Sequence, residues 1–270
     1  MATITGRNQG NVSDEGKVNW RGDQNTVTPG DQSIYDTSTV QLADLGTRKV
    51  VGDRVFRYAQ AGGGVTINKG DVCQQSPAAS AGGCLGAVNG YISVTAGTVN
   101  QSGGKVFLYY FATSAAADLF AEGEIWAQSG TQANLGQFYR IRSHASVGDT
   151  TKTSLFLYDP LERTSNVTDK WSLRLNKYKS ITQATAATNA AAGVSPVICT
   201  TGDYFWLQTW GPAAVKAGAA IIDGISVGMG ATGQIQGLTV VTSTVPFPIG
   251  FSMQTLTVSE HGLVFLTIAP

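Results

Sequence analysis

The chain has 270 residues, with 18 basic and 18 acidic side chains that cancel, and only 13% of its residues are charged. That is half the ~25% typical of soluble domains, and the even balance excludes the clustered Lys and Arg footprint of a nucleic-acid binder. Its 33 glycines, among recurring aliphatic and aromatic residues, describe many short strands joined by tight turns rather than a disordered chain.

The length suits one large β domain or two smaller ones, with a core that needs no metal or disulfide to support it. No run approaches the ~20 apolar residues of a membrane-spanning helix, and the N-terminal stretch has no apolar segment of the secretory kind, so neither membrane nor export is expected. Without export, the three cysteines, Cys73, Cys84 and Cys199, read as free buried thiols, although Cys73 and Cys84 are spaced to bridge a loop. The sequons at Asn11 and Asn166 then read as accidental matches.

Residues 1–34 are polar, and Ile4, Val12, Val18, Trp20 and Val27 are scattered singly among them. Two readings stand side by side, a flexible tail and an extended arm that orders against a neighbouring subunit. From Tyr35 the texture changes. The stretch "RKVVGDRVFRYAQAGG" (48–63) predicts a hairpin turning at Gly52-Asp53, with Phe56 and Tyr58 on one face and Arg57 on the other. Further short strands are predicted in 105–114, 136–144, 153–161, 203–211 and 261–269, each closed by Gly, Pro, Ser or Asp. Only the alanine-rich stretches 113–124 and 180–193 could be helical, and the second lacks large apolar residues. The expected fold is mainly β, one or two small barrels or sandwiches of short antiparallel strands with an N-terminal arm and little helix. The expected division is 1–34 arm, 35–200 β-rich domain and 201–270 small β-barrel.

One pattern repeats. An aromatic strand and a small-residue turn precede Ile67-x-x-Gly70, Phe120-x-x-Gly123 and Val215-x-x-Gly218, and Gly136-Gln137-Phe138 and Gly233-Gln234-Ile235 follow two of the copies. Glycine at such an elbow supplies a positive φ. The copies are irregularly spaced, which excludes a solenoid.

Groups for catalysis are sparse, and no enzyme activity, cofactor or metal is expected. His144 and His261 are the only histidines. In "SEHG" (259–262), neighbouring residues on a strand point to alternate faces and cannot form a base–orienter relay, so a turn before the last strand is the plainer reading. His144 and Asp149 are too few for a zinc site. Asp118, Glu122 and Glu124 form either a solvated rim or the paired carboxylates of a glycosidase. Trp126, Tyr139, Tyr178, Trp206 and Trp210 either pack a core or line a sugar-binding face.

From about Trp206 the chain runs "WGPAAVKAGAAI", "GISVGMGATGQI", "PFPIGFSMQ" and "GLVFLTIAP". This series resembles the small β-barrel of tailed-bacteriophage head-decoration (capsid cement) proteins, and the segments "GQFYRIRSHASVGDTTKTSLFLYDPLERT" and "DTSTVQLADLGTRKVVGDRVFRYAQAG" resemble phage structural proteins more loosely. The resemblance implies a virion protein on the outer capsid, made in the host cytoplasm. It would be a homotrimer that binds the major capsid protein and clamps neighbouring capsomers. Trp20, Arg21 and Tyr35 are then the expected arm anchors, because aromatics and Arg dominate interface energetics. The alternative is a tail- or surface-associated β module that binds a host glycan through exposed aromatics near Trp126 and Trp206.

Overall fold

The computed structural model describes residues 32–64, 66–76, 91–95, 102–110, 115–129, 135–146, 152–165, 169–185, 190–238 and 248–270. These residues are all β, in two antiparallel sheets. Most of the arm, including Trp20 and Arg21, lies outside them, as do Cys84, Asp149 and both sequons.

The hairpin forms as expected. β1 (Arg48–Val51) and β2 (Arg54–Gln60) pair from Arg48↔Arg57 to Val51↔Arg54, and Gly52 turns between them at φ +65°. Both faces of β2 are covered, since Val55 and Ala59 are buried as well as Phe56 and Tyr58. Its other edge pairs with β12 (Tyr204–Lys216), so the strand is internal.

The ten-stranded sheet also contains β3 (Val72–Gln75), β10 (Ile181–Gln183), β11 (Ala191–Val194), β13 (Ser226–Met229), β14 (Ile235–Gly237), β15 (Pro248–Ser252) and β16 (His261–Thr267). The six-stranded sheet runs β4-β9-β6-β7-β8-β5, built from β4 (Tyr91–Thr95), β5 (Val106–Tyr110), β6 (Glu124–Ser129), β7 (Phe138–His144), β8 (Lys152–Leu157) and β9 (Lys170–Arg174). The boundary expected between 200 and 201 therefore runs through one sheet. β12 is its longest strand, facing Val194 of β11 and Phe56 of β2 across Gln208 and then pairing with β16 from Trp210 to Lys216. The strands of the other sheet all fall between residues 91 and 174 and so are nested in sequence between the two parts of the first.

β12 continues through Gly211 and Pro212, where a strand end was expected. Pro212 has no N–H to give a ladder, and it falls just beyond Trp210, the last residue of β12 paired with β2. Gly211 stands at φ +85°, and a Cβ there would lie 2.6 Å from the Asp53 oxygen, so the crossing of β12 over the hairpin turn requires glycine.

Three apolar clusters fill the interior. One is lined by a single face of the six-stranded sheet, with Trp171 packed edge-on against Phe107 at 4.8 Å and near Tyr139. Strands β4 and β5, at the two ends of that sheet, approach to within 8 Å between Cα atoms, yet no ladder joins them. The second cluster gathers Phe56, Tyr58, Cys73, Phe205, Trp206 and Leu207; the third gathers Val72, Val194, Val215, Val227, Ile235 and Leu266. β3 and β11 contribute to both and are buried on both faces. A parallel bridge from Ala217 to Ile235 ties β14 back toward the end of β12. Among the described residues the ladders close no barrel, so the architecture is two strongly curled open sheets.

Neither alanine-rich stretch is helical in its described part. Residues 117–122 form turns with Asp118 and Glu122 at φ +56° and +62°, a left-handed conformation that no right-handed helix accommodates. The second stretch supplies β10 and β11. The repeated elbows are present with two different uses of glycine. Gly70, Gly136 and Gly233 take positive φ. Gly123 and Gly218 do not; a side chain there would strike the Arg174 oxygen and Gln234 Oε1, respectively, so these positions serve close approach of chains.

Candidate functional site

The start of the described chain is held by one residue that composition does not single out. Gln32 is 6% exposed. Its Nε2 donates to the main-chain oxygens of Asp36 and Tyr204, both at 2.7 Å, and its Oε1 accepts from the Tyr58 hydroxyl at 2.8 Å. Its own main-chain oxygen accepts from Lys49 Nζ and Trp206 Nε1, both at 2.9 Å. Tyr58 in turn stacks on Tyr204 and meets Trp206 edge-on. A bridge from Ser38 to Tyr204 then lays residues 32–42 against β12. Tyr35, one of the three expected anchors, is 58% exposed; among the described residues it hydrogen-bonds Ser33 Oγ, through its N–H, and Arg54, through its hydroxyl. Val40 and Leu42 are exposed on the same segment. The segment is therefore pinned from inside by Gln32 and displays Tyr35, Val40 and Leu42 outward.

Two further surfaces carry large apolar side chains. On the six-stranded sheet, Val106 lies across from Phe156, and Trp126 across from Phe138. Phe138 is 58% exposed, and Val106, Leu108 and Phe156 are exposed with it. Register places them on the face opposite the core, since their neighbours Phe107, Leu155, Ile125 and Tyr139 point inward. On the C-terminal strands, Phe251 stacks on Phe265 at 5.2 Å, and Phe265 meets Trp210 edge-on at 5.8 Å. Phe251, Met253 and Leu263 are exposed there. The aromatics named as possible sugar-binding groups thus divide. Tyr139, Tyr178 and Trp206 are core residues, and Trp126 and Trp210 are half-buried on outward faces.

Two of the three expected rim carboxylates are used in structure. The Asp118 carboxylate accepts the His144 N–H at 2.9 Å. Glu122 accepts the N–H of Leu45 and, at 2.8 Å, the Gln41 amide, so it ties the 41–45 loop to the six-stranded sheet. Asn176 reinforces that junction by donating to the oxygens of Leu45 and Glu122. Glu124 lines a cleft of about 360 Å³ at the junction, together with Asp44, Arg140, Asn176, Lys177 and Tyr178.

His144 is 3% exposed. Its Nε2 accepts the Phe120 N–H at 3.0 Å, so its proton sits on Nδ1, 2.8 Å from the Ala145 oxygen. Burial holds its pKa below the ordinary histidine value. The expected turn before the last strand lies at 258–259; Glu260 accepts the Thr257 N–H, and His261 opens β16. Cys73 and Cys199 are free and buried, and burial pushes the Cys199 thiol up to about 12. No protein-family model matches the chain, and neither does any curated protein or solved structure.

Proposed function

We propose that the chain is a non-enzymatic virion protein of the head-decoration kind, which oligomerises, binds the major capsid protein and stabilises the capsid. The observation that carries the reading is the outward aromatic ladder Trp210–Phe265–Phe251 with Leu263 beside it. These residues lie within the segments that resemble decoration proteins, and large exposed apolar patches on a folded chain mark interaction surfaces. The low charge of the chain agrees with a surface that is covered in its working state. Closed homo-oligomers also protect strand edges.

The test combines light scattering over a dilution series with sedimentation alongside empty heads of the encoding phage. A mass of about three times the 28.2 kDa chain, together with saturable head binding, supports the reading. The double variant Phe251→Glu, Leu263→Glu should keep its circular dichroism and lose one or both associations. A wild-type monomer that leaves heads bare would sink the proposal. A second reading, a glycan-binding module, rests on Trp126 lying across from Phe138 on an outward face, and a glycan array tests it directly.

A further inference from the structure

The outward face of the six-stranded sheet carries two cross-strand pairs side by side. Glu124 lies across from Arg140, and further along the same strands Trp126 lies across from Phe138. Residues two apart on a strand share a face at a spacing of roughly 7 Å, and the intervening Ile125 and Tyr139 belong to the core. Glu124 and Arg140 also line the cleft of about 360 Å³ that the 44–47 loop and residues 176–178 complete. A polar cleft and an aromatic pair therefore adjoin on one surface.

The polar groups of the cleft divide into those already engaged and those that are not. Glu122 accepts from Leu45 and Gln41, and Asn176 uses its amide on Leu45, Glu122 and Tyr178. The side chains of Asp44, Glu124, Arg140 and Lys177 make no hydrogen bond or ion pair with a described residue. Arg140 rests over the Tyr158 ring and Lys177 over the Tyr178 ring. These two carboxylates and two cations balance, so the cleft offers acceptors and donors together and favours neither an anion nor a cation.

A neutral saccharide matches such a surface. Each of its hydroxyls both donates and accepts, so neighbouring hydroxyls engage a carboxylate and a guanidinium at once through charge-assisted hydrogen bonds. One face of a pyranose ring is mostly C–H and slightly positive, and it lies against the negative face of an aromatic ring. The cleft volume falls at the small end of ligand sites, so a sugar unit inside it leaves the next unit to lie on the aromatic pair. We propose that this surface is a binding site for a neutral oligosaccharide. One ring stacks on Trp126 and Phe138, and the adjoining unit is held by Asp44, Glu124 and Arg140, with Lys177 as a further donor. The inference deepens the glycan-binding reading above and rests on it; it does not require the capsid reading.

The experiment applies the full chain to a printed array of neutral, sialylated and sulfated oligosaccharides, then titrates the best-retained neutral oligosaccharide calorimetrically. Neutral oligosaccharides should be retained, and the retention should persist at high salt, where attraction between charges is screened. Phe138→Ala and Glu124→Ala should each weaken the titrated binding at least about tenfold. Phe138→Ala should do so without lowering the urea midpoint, because Phe138 is largely exposed. Retention of charged glycans alone would overturn the assignment. No retention of any glycan would sink the site and the glycan-binding reading together, whereas wild-type affinity in both variants would sink the site and leave that reading standing. If Phe138→Ala instead lowers the solution mass of a protein that retains no glycan, the face belongs to a second copy and the assignment is wrong.

Discussion

Replacing Gln32 by alanine tests whether the segment leading into the first sheet is held from within. The side chain gives two hydrogen bonds to main-chain oxygens and takes one from the Tyr58 hydroxyl. Tyr204 O keeps a donor in Ser38 N–H, so the loss falls on the Asp36 oxygen and on the bond from the Tyr58 hydroxyl, whose residue is fully buried. Losing hydrogen bonds between buried groups costs about 1–3 kcal/mol, and truncating a buried side chain adds to it. The expected destabilisation of Gln32→Ala is about 3 kcal/mol. Tyr58→Phe removes the same hydroxyl, so the two changes should not add. Urea unfolding of wild type, both single variants and the double variant at 25 °C should give a coupling of about 1–2 kcal/mol. Additivity within about 0.5 kcal/mol would refute the idea that this hydrogen bond pins the segment. If the pin is real, Gln32→Ala should also weaken any association made through Tyr35, Val40 and Leu42.

Gly211→Ala should cost about 3 kcal/mol, from positive φ and from the clash with the Asp53 oxygen. Gly52→Ala, at φ +65° with open space around it, should cost only about 1 kcal/mol; equal urea midpoints for the two variants would contradict the close packing of β12 on the hairpin turn. His144 prefers its neutral form when folded, so its contribution is complete above its unfolded pKa of about 6.5 and is lost as pH falls through that value toward the lower folded pKa. Denaturation midpoints measured from pH 8 to pH 5 should therefore fall more for wild type than for His144→Gln, and parallel curves would argue against this. Cys73 and Cys199 should resist a maleimide at pH 8 in the native protein and react fully in urea, as peptide mass spectrometry can show.

The legible part of the fold was local. The 48–60 hairpin was readable because alternation and Gly52-Asp53 lie within a few residues, and the glycines at 70, 136 and 233 were readable because a turn's demand for a positive φ is written at one position, whereas Gly123 and Gly218 answer to the close approach of other segments. The 113–124 stretch misled because alanine content favours a helix, whereas Gly123 and Glu122 are set by strands far away in sequence that press on them. That one sheet carries strands from both sides of residue 200 was hidden for the same reason, since no periodicity reveals that Tyr204 pairs with Gln60. Trp206 and Tyr178 were named as either core or sugar-binding, and neighbours from distant segments decided for core. Gln32 was invisible, because one glutamine in a polar stretch carries no pattern.

The nesting of one sheet inside the other has a consequence for the newborn chain. When β9 emerges from the ribosome, every partner of the six-stranded sheet has already been made. β2, by contrast, must wait for β12, and β12 for β16. Domains generally fold as units during synthesis, so the insert should collapse first. It then shortens the loop that β2 must close to find β12, and so lowers the entropy cost of that late encounter. Until then the hairpin of β1 and β2 has an unpaired edge, which is the point in the life of this protein most open to mispairing with another copy.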